Sequence, residues 1–351
     1  MDAPQYPPEG VPPAGLDALQ GEDLGARPDV QDADAALLRL LGCENIASRR
    51  WIYRQYDHQV QNNTVVRPGG DAAVIRIKGA RRGLAVATDC NARMLGLDPF
   101  AGAAMAVAEA CRNVVATGAK PAALTDCLNF GNPEKPEVAW QMEQAILGLS
   151  EAARVLGAPV ISGNASLYNE APQGQILPTP GIGVVGVLQD AAKHLTATPE
   201  EGDTIVLLGA EVAQPASTLA GSEHQWLTLD RIAGRPTIDL AHELRVQTLV
   251  LGTHARGLLT AAHDLADGGL AVAIAEMCIA AGFGIDASDS VQGERLDATL
   301  FGEAPSRFLV ATADPDAVVA LARESGVPAT ALGRVGGDRL RIGPIDVALD
   351  V

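Results

Sequence analysis

The sequence predicts two mixed α/β domains in tandem, the first over residues 51–190 and the second over residues 203–351. Three observations carry this reading. A chain of 351 residues is long enough for about two separate cores. Short apolar or alternating runs recur between longer stretches of helical spacing, the pattern of mixed α/β folds. A polar joint at residues 191–202 interrupts them, and a new apolar run restarts at Thr204.

Taken in order, residues 1–34 are rich in Pro, Gly, Asp and Glu and show no period, and residues 1–50 read as a leader or linker. A short helix is expected at 35–41, with Asp34 placed to cap it. Met1 followed directly by linker-like sequence points to a split gene or a piece of a longer chain. Residues 71–78 and 84–88 alternate or run apolar, as strands do. Residues 99–117 begin with Pro99 and carry Ala101, Met105, Ala108, Cys111 and Val115 at helical spacing. A strand follows at 122–128. A helix at 136–156 has one stripe of Val138, Met142, Ala145, Leu149, Ala152 and Leu156. Strands are expected at 160–162 and 183–188. In the second domain a strand at 204–208 precedes helices at 239–253, 269–281 and 314–324, with strands at 258–262, 308–313 and 331–334.

Hydrophobic residues make up 47% of the chain but aromatics only 3%, so its cores must rest on Ala, Val, Leu and Ile. The net charge of −17 argues against a nucleic-acid or acidic-membrane surface. An acidic protein can still hold an anion locally, through helix N-termini, backbone N–H groups or a bridging metal. The five cysteines are odd in number and widely spaced without CxxC, which disfavours zinc and disulfide frameworks and fits a reducing cytoplasm. The N-terminus lacks an apolar signal region, and no apolar run approaches the about 18 residues that cross a membrane.

The segment Ala158-Pro-Val-Ile-Ser-Gly-Asn-Ala-Ser-Leu-Tyr-Asn-Glu170 is the richest in candidate chemistry. It reads as a buried strand running into a glycine turn at Gly163, loaded with Asn164 and Ser166. Glycine lets backbone N–H groups approach a ligand, and Asn and Ser oxygens suit Mg²⁺ or phosphate. The plain alternative is an ordinary turn. Asp126 ends a strand before an Asn/Gly/Pro loop, where α/β sheets bind ligands; an Asx-turn is the plain reading. Asp89 also ends a strand in Thr-Asp, so the two acids invite a pair around Mg²⁺, or each simply stops its strand.

Gly268 and Gly269, in His263-Asp-Leu-Ala-Asp-Gly-Gly269, would leave N–H groups free for an anion at a helix start. His263 is either a base or, as is commoner for a His beside Asp, structural. His58 reads as a surface histidine, with reach into a cleft as its other role. Gly181-Ile-Gly-Val-Val-Gly186 fits GxGxxG, but Pro180 precedes it and a strand pattern follows, so it is no dinucleotide fingerprint. No GxxxxGK[ST] or GxSxG occurs, which excludes P-loop and α/β-hydrolase chemistry.

Four longer motifs carry a resemblance. Thr125-Asp-Cys-Leu-Asn-Phe-Gly-Asn-Pro-Glu-Lys-Pro136, Ile161-Ser-Gly-Asn-Ala-Ser-Leu-Tyr-Asn-Glu170, Leu219-Ala-Gly-Ser-Glu223 and Ala262-His-Asp-Leu-Ala-Asp-Gly-Gly-Leu-Ala271 resemble the phosphoribosylformylglycinamidine synthase family from about Trp51 to Gly336. The resemblance implies a two-domain PurM-like unit, with an N-terminal mixed sheet-helix domain and a C-terminal α/β domain. Family members hold two such units in tandem, and this chain resembles the second, C-terminal one.

The reaction implied is an ATP-dependent ligation in purine biosynthesis. ATP phosphorylates the amide oxygen of formylglycinamide ribonucleotide, and ammonia derived from glutamine displaces phosphate to give the amidine. The cofactors implied are ATP and Mg²⁺. The partners implied are the first unit, a glutaminase subunit and a small accessory subunit, with a homodimer plausible through the N-terminal domains.

By residue match the resemblance assigns Asp126 and Gly163 to nucleotide, Asn164 to Mg²⁺ and Ser166 to substrate. The family's principal catalytic histidines belong to the first unit, so it assigns no catalytic residue here. At the place of that unit's Glu-Ser-Gln substrate segment this chain has Gly302-Glu-Ala-Pro-Ser306, in which Ala304 and Pro305 offer no side-chain donor. Two other readings stand beside it: a nucleotide-binding structural module that does not turn over, and a free-standing relative such as aminoimidazole ribonucleotide synthase or a small-molecule kinase.

Overall fold

A computed structural model describes residues 9–349. The chain begins with helices α1 (Leu16–Gln20), α2 (Ala33–Leu41) and α3 (Arg50–Tyr53). The first domain continues with β1 (Thr64–Val66), β2 (Ala73–Arg76), β3 (Gly83–Asp89), α4 (Ala92–Leu97), α5 (Pro99–Ala116) and β4 (Lys120–Asn129). It ends with α6 (Pro136–Leu156), β5 (Val160–Ser166), the small hairpin β6 (Glu170–Ala171) and β7 (Gly174–Gln175), and β8 (Thr179–Leu188).

The second domain comprises β9 (Thr204–Leu208), α7 (Glu223–Leu229), α8 (Leu240–Ala255), β10 (Ala261–Asp264), α9 (Gly269–Ala281), β11 (Ile285–Ala287) and α10 (Leu296–Phe301). It closes with β12 (Phe308–Thr312), α11 (Pro315–Glu324), β13 (Ala329–Val335), β14 (Arg339–Ile342) and β15 (Ile345–Ala348).

The first domain is built on a six-stranded sheet of order β1-β2-β3-β8-β4-β5. Only β4 and β5 pair in parallel, joined across α6, and β5 is the edge strand. Helix α5 starts where Asp98 accepts a hydrogen bond from the Ala101 N–H and Pro99 fits the first turn. Most of α5 is buried on all sides, which its alanines permit. A β-carbon on Gly186 would lie 2.2 Å from Val114 of α5, and one on Gly148 of α6 would lie 2.0 Å from the Phe100 carbonyl oxygen. These glycines bring sheet and helices into backbone-close contact. The GxGxxG run lies within β8, as the strand pattern around it implies.

The second domain has a seven-stranded sheet of order β10-β12-β9-β13-β11-β14-β15. One core, rich in α9 residues from Leu270 to Cys278, covers one side. Another gathers Val246 and Val250 of α8, Val318 and Ala322 of α11, and Val115 and Ala116 of α5. The end of α5 therefore belongs to the second domain's core, and the two domains share a helix as well as a joint.

Three expectations change. Asp32, not Asp34, caps α2 by accepting from the Ala35 N–H, because the helix begins two residues earlier. The stretch 1–34, read as period-free, carries α1 and buries Leu16 and Leu24 against the rest of the chain. Its order comes from these tertiary contacts, which leave no local period. The glycine turn at Gly163 does not form: residues 160–166 continue as one strand, held in register by β4, and Val160 and Ile161 are exposed.

Candidate functional site

Asp126, Gly163, Asn164 and Ser166 lie together on the two parallel strands β4 and β5, toward their C-terminal ends. Asp126 pairs with Gly163, Cys127 with Asn164, and Asn129 with Ser166. Carboxyl ends of parallel strands are where α/β sheets bind ligands. Side chains alternate along a strand. Asp126 and Gly163 therefore share the face that carries the helices. Ser162, Asn164 and Ser166 share the opposite, open face, where Ser162 Oγ donates to Thr125 Oγ1 at 2.7 Å and Asn164 Nδ2 lies 3.3 Å from Cys127 Sγ. One ligand can reach both faces because β5 is an edge strand, exposed along its length to Ala165 and half-buried at Ser166.

The donors suit a hard cation. Asn164 turns its Nδ2 to sulfur, which leaves Oδ1 for a metal. Burial pushes the Asp126 carboxyl above its ordinary range, an uncompensated charge cost that a cation would relieve. Ser166 Oγ lies 3.3 Å from Asn169 Oδ1, and Asn169 Nδ2 donates to the Phe130 and Ser166 carbonyls, so the loop after β5 fixes the Ser166 hydroxyl.

Asp89 does not form a pair with Asp126. Both acids stand opposite Ile182 of β8, on either side of it, so two strand spacings of roughly 5 Å each separate their backbones. Asp89 instead faces a buried group at the domain junction. Its carboxyl is pushed up to about 7 by burial, with further contributions from Asp267 and Asp264. Glu109 of α5 is raised by burial and the neighbouring Asp89. Arg112, buried at 1% exposure, answers these acids. Its guanidinium lies 3.0 Å from Glu243, 3.4 Å from Asp264 and 3.6 Å from Glu109. Burial alone would lower the Arg112 pKa, but the carboxylates of Glu243, Asp264, Glu109 and Asp89 raise it.

The glycine pair Gly268 and Gly269 is not a vacant anion site. Glu303 Oε1 accepts from the Gly268 N–H at 2.7 Å and from the Glu223 N–H at 2.8 Å. The acceptor at this helix start is thus the chain's own Glu303 carboxyl, whose pKa is pushed up to about 8 by burial and by Asp267. His263 is structural: Nδ1 contacts Asp71 at 2.7 Å and Nε2 contacts Glu276 at 3.1 Å. Burial opposes its charge, but Asp71 and then Glu276 raise its pKa well above the ordinary value. Asp71, His263 and Asp264 cluster closely enough to ligate a metal. Both histidine nitrogens are already engaged and Asp264 faces Arg112, so this cluster reads as an ion network joining the two domains. His58 is half-buried and sits edge-on to Tyr53.

The comparisons with known proteins follow the same division. The AIR synthase related protein N-terminal domain matches residues 69–188, and its C-terminal domain matches residues 200–343. The chain belongs to the AIR synthase-related family. Among members of that family, it is 48% identical over 341 residues to phosphoribosylformylglycinamidine synthase subunit PurL of Moorella thermoacetica, covering 96% of this chain and 46% of that protein. The PurL subunit of Deinococcus radiodurans is 47% identical over 344 residues, covering 95% of this chain and 46% of that protein. The chain spans about half the length of the curated relatives it matches.

In structure, Thermotoga maritima PurL complexed with FGAR aligns with a TM-score of 0.72 at 18% identity, over 95% of this chain and 54% of that one. The thiamine-monophosphate kinase of Stenotrophomonas maltophilia aligns at 0.54 with 20% identity, over 80% of this chain and 92% of that one. At such identities these likenesses show the AIR synthase-related fold alone.

Sequence reasoning missed Glu109, Arg112, Glu243 and Glu303 as parts of the junction. Glu109, Arg112 and Glu243 sit inside helices, and Arg112 and Glu109 share one helix at a spacing that an exposed ion pair also uses. The signal available was the charged pair Glu109 and Arg112 inside the largely apolar, alanine-rich run of residues 99–116.

Proposed function

We propose that this chain is the C-terminal half of an ATP-dependent C–N ligase that converts formylglycinamide ribonucleotide and ammonia to formylglycinamidine ribonucleotide in purine biosynthesis. The observation that carries the reading is the joint placement of Asp126, Gly163, Asn164 and Ser166 on β4 and β5, within a chain 48% identical to a PurL subunit. In this reading Asp126 and the Gly163 backbone hold the nucleotide, the Asn164 amide oxygen holds Mg²⁺, and the Ser166 hydroxyl holds substrate. Mg²⁺ would offset phosphate charge as it develops. Asp126 and Ser166 would position the two reactants along one strand edge.

The wall is open, and the other side of the site belongs in our reading to the first unit, which brings the catalytic groups. Exposed Val160 and Ile161 beside the row, 44% and 71% accessible, support a partner that covers this edge. A glutaminase subunit supplying ammonia and a small accessory subunit complete the assembly we propose; without the first unit a homodimer through the N-terminal domains takes its place. We place the protein in the cytoplasm, in keeping with its free cysteines. Among the described residues no helix is long and apolar enough to cross a membrane.

The test is turnover with formylglycinamide ribonucleotide, MgATP and ammonia, by the chain alone and with its first unit. Turnover only with both is expected; full turnover by the chain alone overturns the division of labour. A second reading, a nucleotide-binding half that never turns over, draws on Ala304 and Pro305. It requires Asp126→Ala to lower the melting temperature and leave the partner's chemistry intact.

A further inference from the structure

A cavity of about 490 Å³ lies between the N-terminal segment and the second domain, within the size range of small-molecule sites. None of its lining residues belongs to β4 or β5. Its apolar walls come from Leu24 and Val30 on one side, Ala36 of α2, and Leu219 and Leu229 on the other. The ring of His224 also lines it, stacked on Phe301 at 5.0 Å between centroids. Burial lowers the His224 pKa, so the ring is presented neutral, as a flat face.

The charges in this cavity are unequally committed. Asp29 accepts from the backbone N–H groups of Val30, Leu296 and Asp297. Asp32 caps α2. Asp297 is held by both ends of the Arg295 guanidinium, at 2.6 and 3.0 Å. Arg27 pairs with Glu22, yet its Nε is buried with no hydrogen-bond partner. Arg39 differs: it donates to the Leu227 carbonyl oxygen at 2.6 Å and has no carboxylate within ion-pair distance among the described residues. All three lining acids are thus spent on the fold, and one lining guanidinium is left over.

We propose that this cavity binds a small amphipathic anion, its apolar body against Leu24, Leu219 and Leu229 and its single anionic group on the Arg39 guanidinium. A flat aromatic body fits best, because His224 offers a stacking face. A carboxylate, sulfonate or phosphate head would serve equally, since a guanidinium recognises each through the same N–H pair. The bound molecule would tie the N-terminal segment to the second domain and so stabilise both.

The test uses two fluorescent probes of similar body, anionic 1-anilinonaphthalene-8-sulfonate and neutral N-phenyl-1-naphthylamine, titrated into the folded chain. One saturable site per chain is expected, with the anionic probe favoured about tenfold. Arg39→Gln should erase that preference while keeping the neutral probe's binding. Ala36→Trp should abolish both by filling the cavity, with circular dichroism confirming that each variant is folded. Absence of a saturable site overturns the proposal, and so does a preference that survives Arg39→Gln. If Ala36→Trp fails to fold, the preference ratio in Arg39→Gln decides alone.

Discussion

A β-carbon on Gly163 would stand 2.4 Å from Oδ1 of Asp126. The two residues are opposite each other on parallel strands, and the carboxylate fills the space that a side chain at 163 would take. Glycine is required here by the neighbouring acid, since the backbone at this position is ordinary strand. Gly163→Ala must push the Asp126 carboxylate aside. Nucleotide affinity of the chain with its partner unit is expected to fall at least about tenfold, the scale of one lost charge-assisted contact. Thermal stability should change little, because the site is exposed. Calorimetric titration with ADP checks the first effect, and a melting curve the second; unchanged affinity removes Asp126 from the nucleotide site.

Arg112→Leu is expected to be among the most damaging single changes. The guanidinium links α5 to Glu243 of α8 and Asp264 of β10, and its loss leaves buried carboxylates unanswered. Removing one partner of such a buried group costs about 3–5 kcal/mol. Urea unfolding at neutral pH measures it. The loss should shrink at low pH, where the orphaned acids can take up protons.

Stability should fall as pH rises. Glu303, Asp89 and Asp264 all have folded-state values raised by burial, to about 8, 7 and 6. A raised group holds its proton more tightly in the folded chain than in the unfolded one. Its contribution is full below the unfolded value, near about 4 for these acids, and is lost as pH rises through the folded one. His263, also raised, extends the same trend to alkaline pH. Melting temperatures measured from pH 5 to pH 9 should therefore decline. Glu303→Gln keeps an oxygen for the Gly268 and Glu223 N–H groups and should flatten the curve; an unaltered slope would remove Glu303 from the cause.

The sequence made the long elements plain because their apolar periods are their own. Helix α6 runs over the predicted residues 136–156, bounded by Pro136 and by Gly157 in a left-handed conformation. The nature of residues 160–166 was hidden because register with β4, a partner distant in sequence, overrides the local turn preference of Ser-Gly-Asn. The four site residues were visible in two motifs, but not their pairing on β4 and β5 or their division between the two faces of the sheet. The N-terminal segment failed for a related reason: Leu16 and Leu24 are buried singly, Leu24 against Leu219, Ala220, Ala233 and Ala298, and leave no period to read. Glu303 was hidden too, since the N–H groups of Gly268 look free until the fold brings a carboxylate to them.

Assembly through the edge strand gives the most direct test of the shared-site reading. Ile161 is 71% exposed on β5, next to Ser162, whose hydroxyl is held by Thr125. An exposed apolar residue on an edge strand invites pairing, and a charge there opposes it. Ile161→Lys should leave the isolated chain folded, since its side chain is already largely in water. It should weaken association with the first unit, or self-association of the chain alone, by at least about tenfold, as loss of a central interface anchor does. Sedimentation over a concentration series reads this directly. If the variant associates like the parent, the covering partner does not lie on this edge, and the site's second wall has to be sought elsewhere on the sheet.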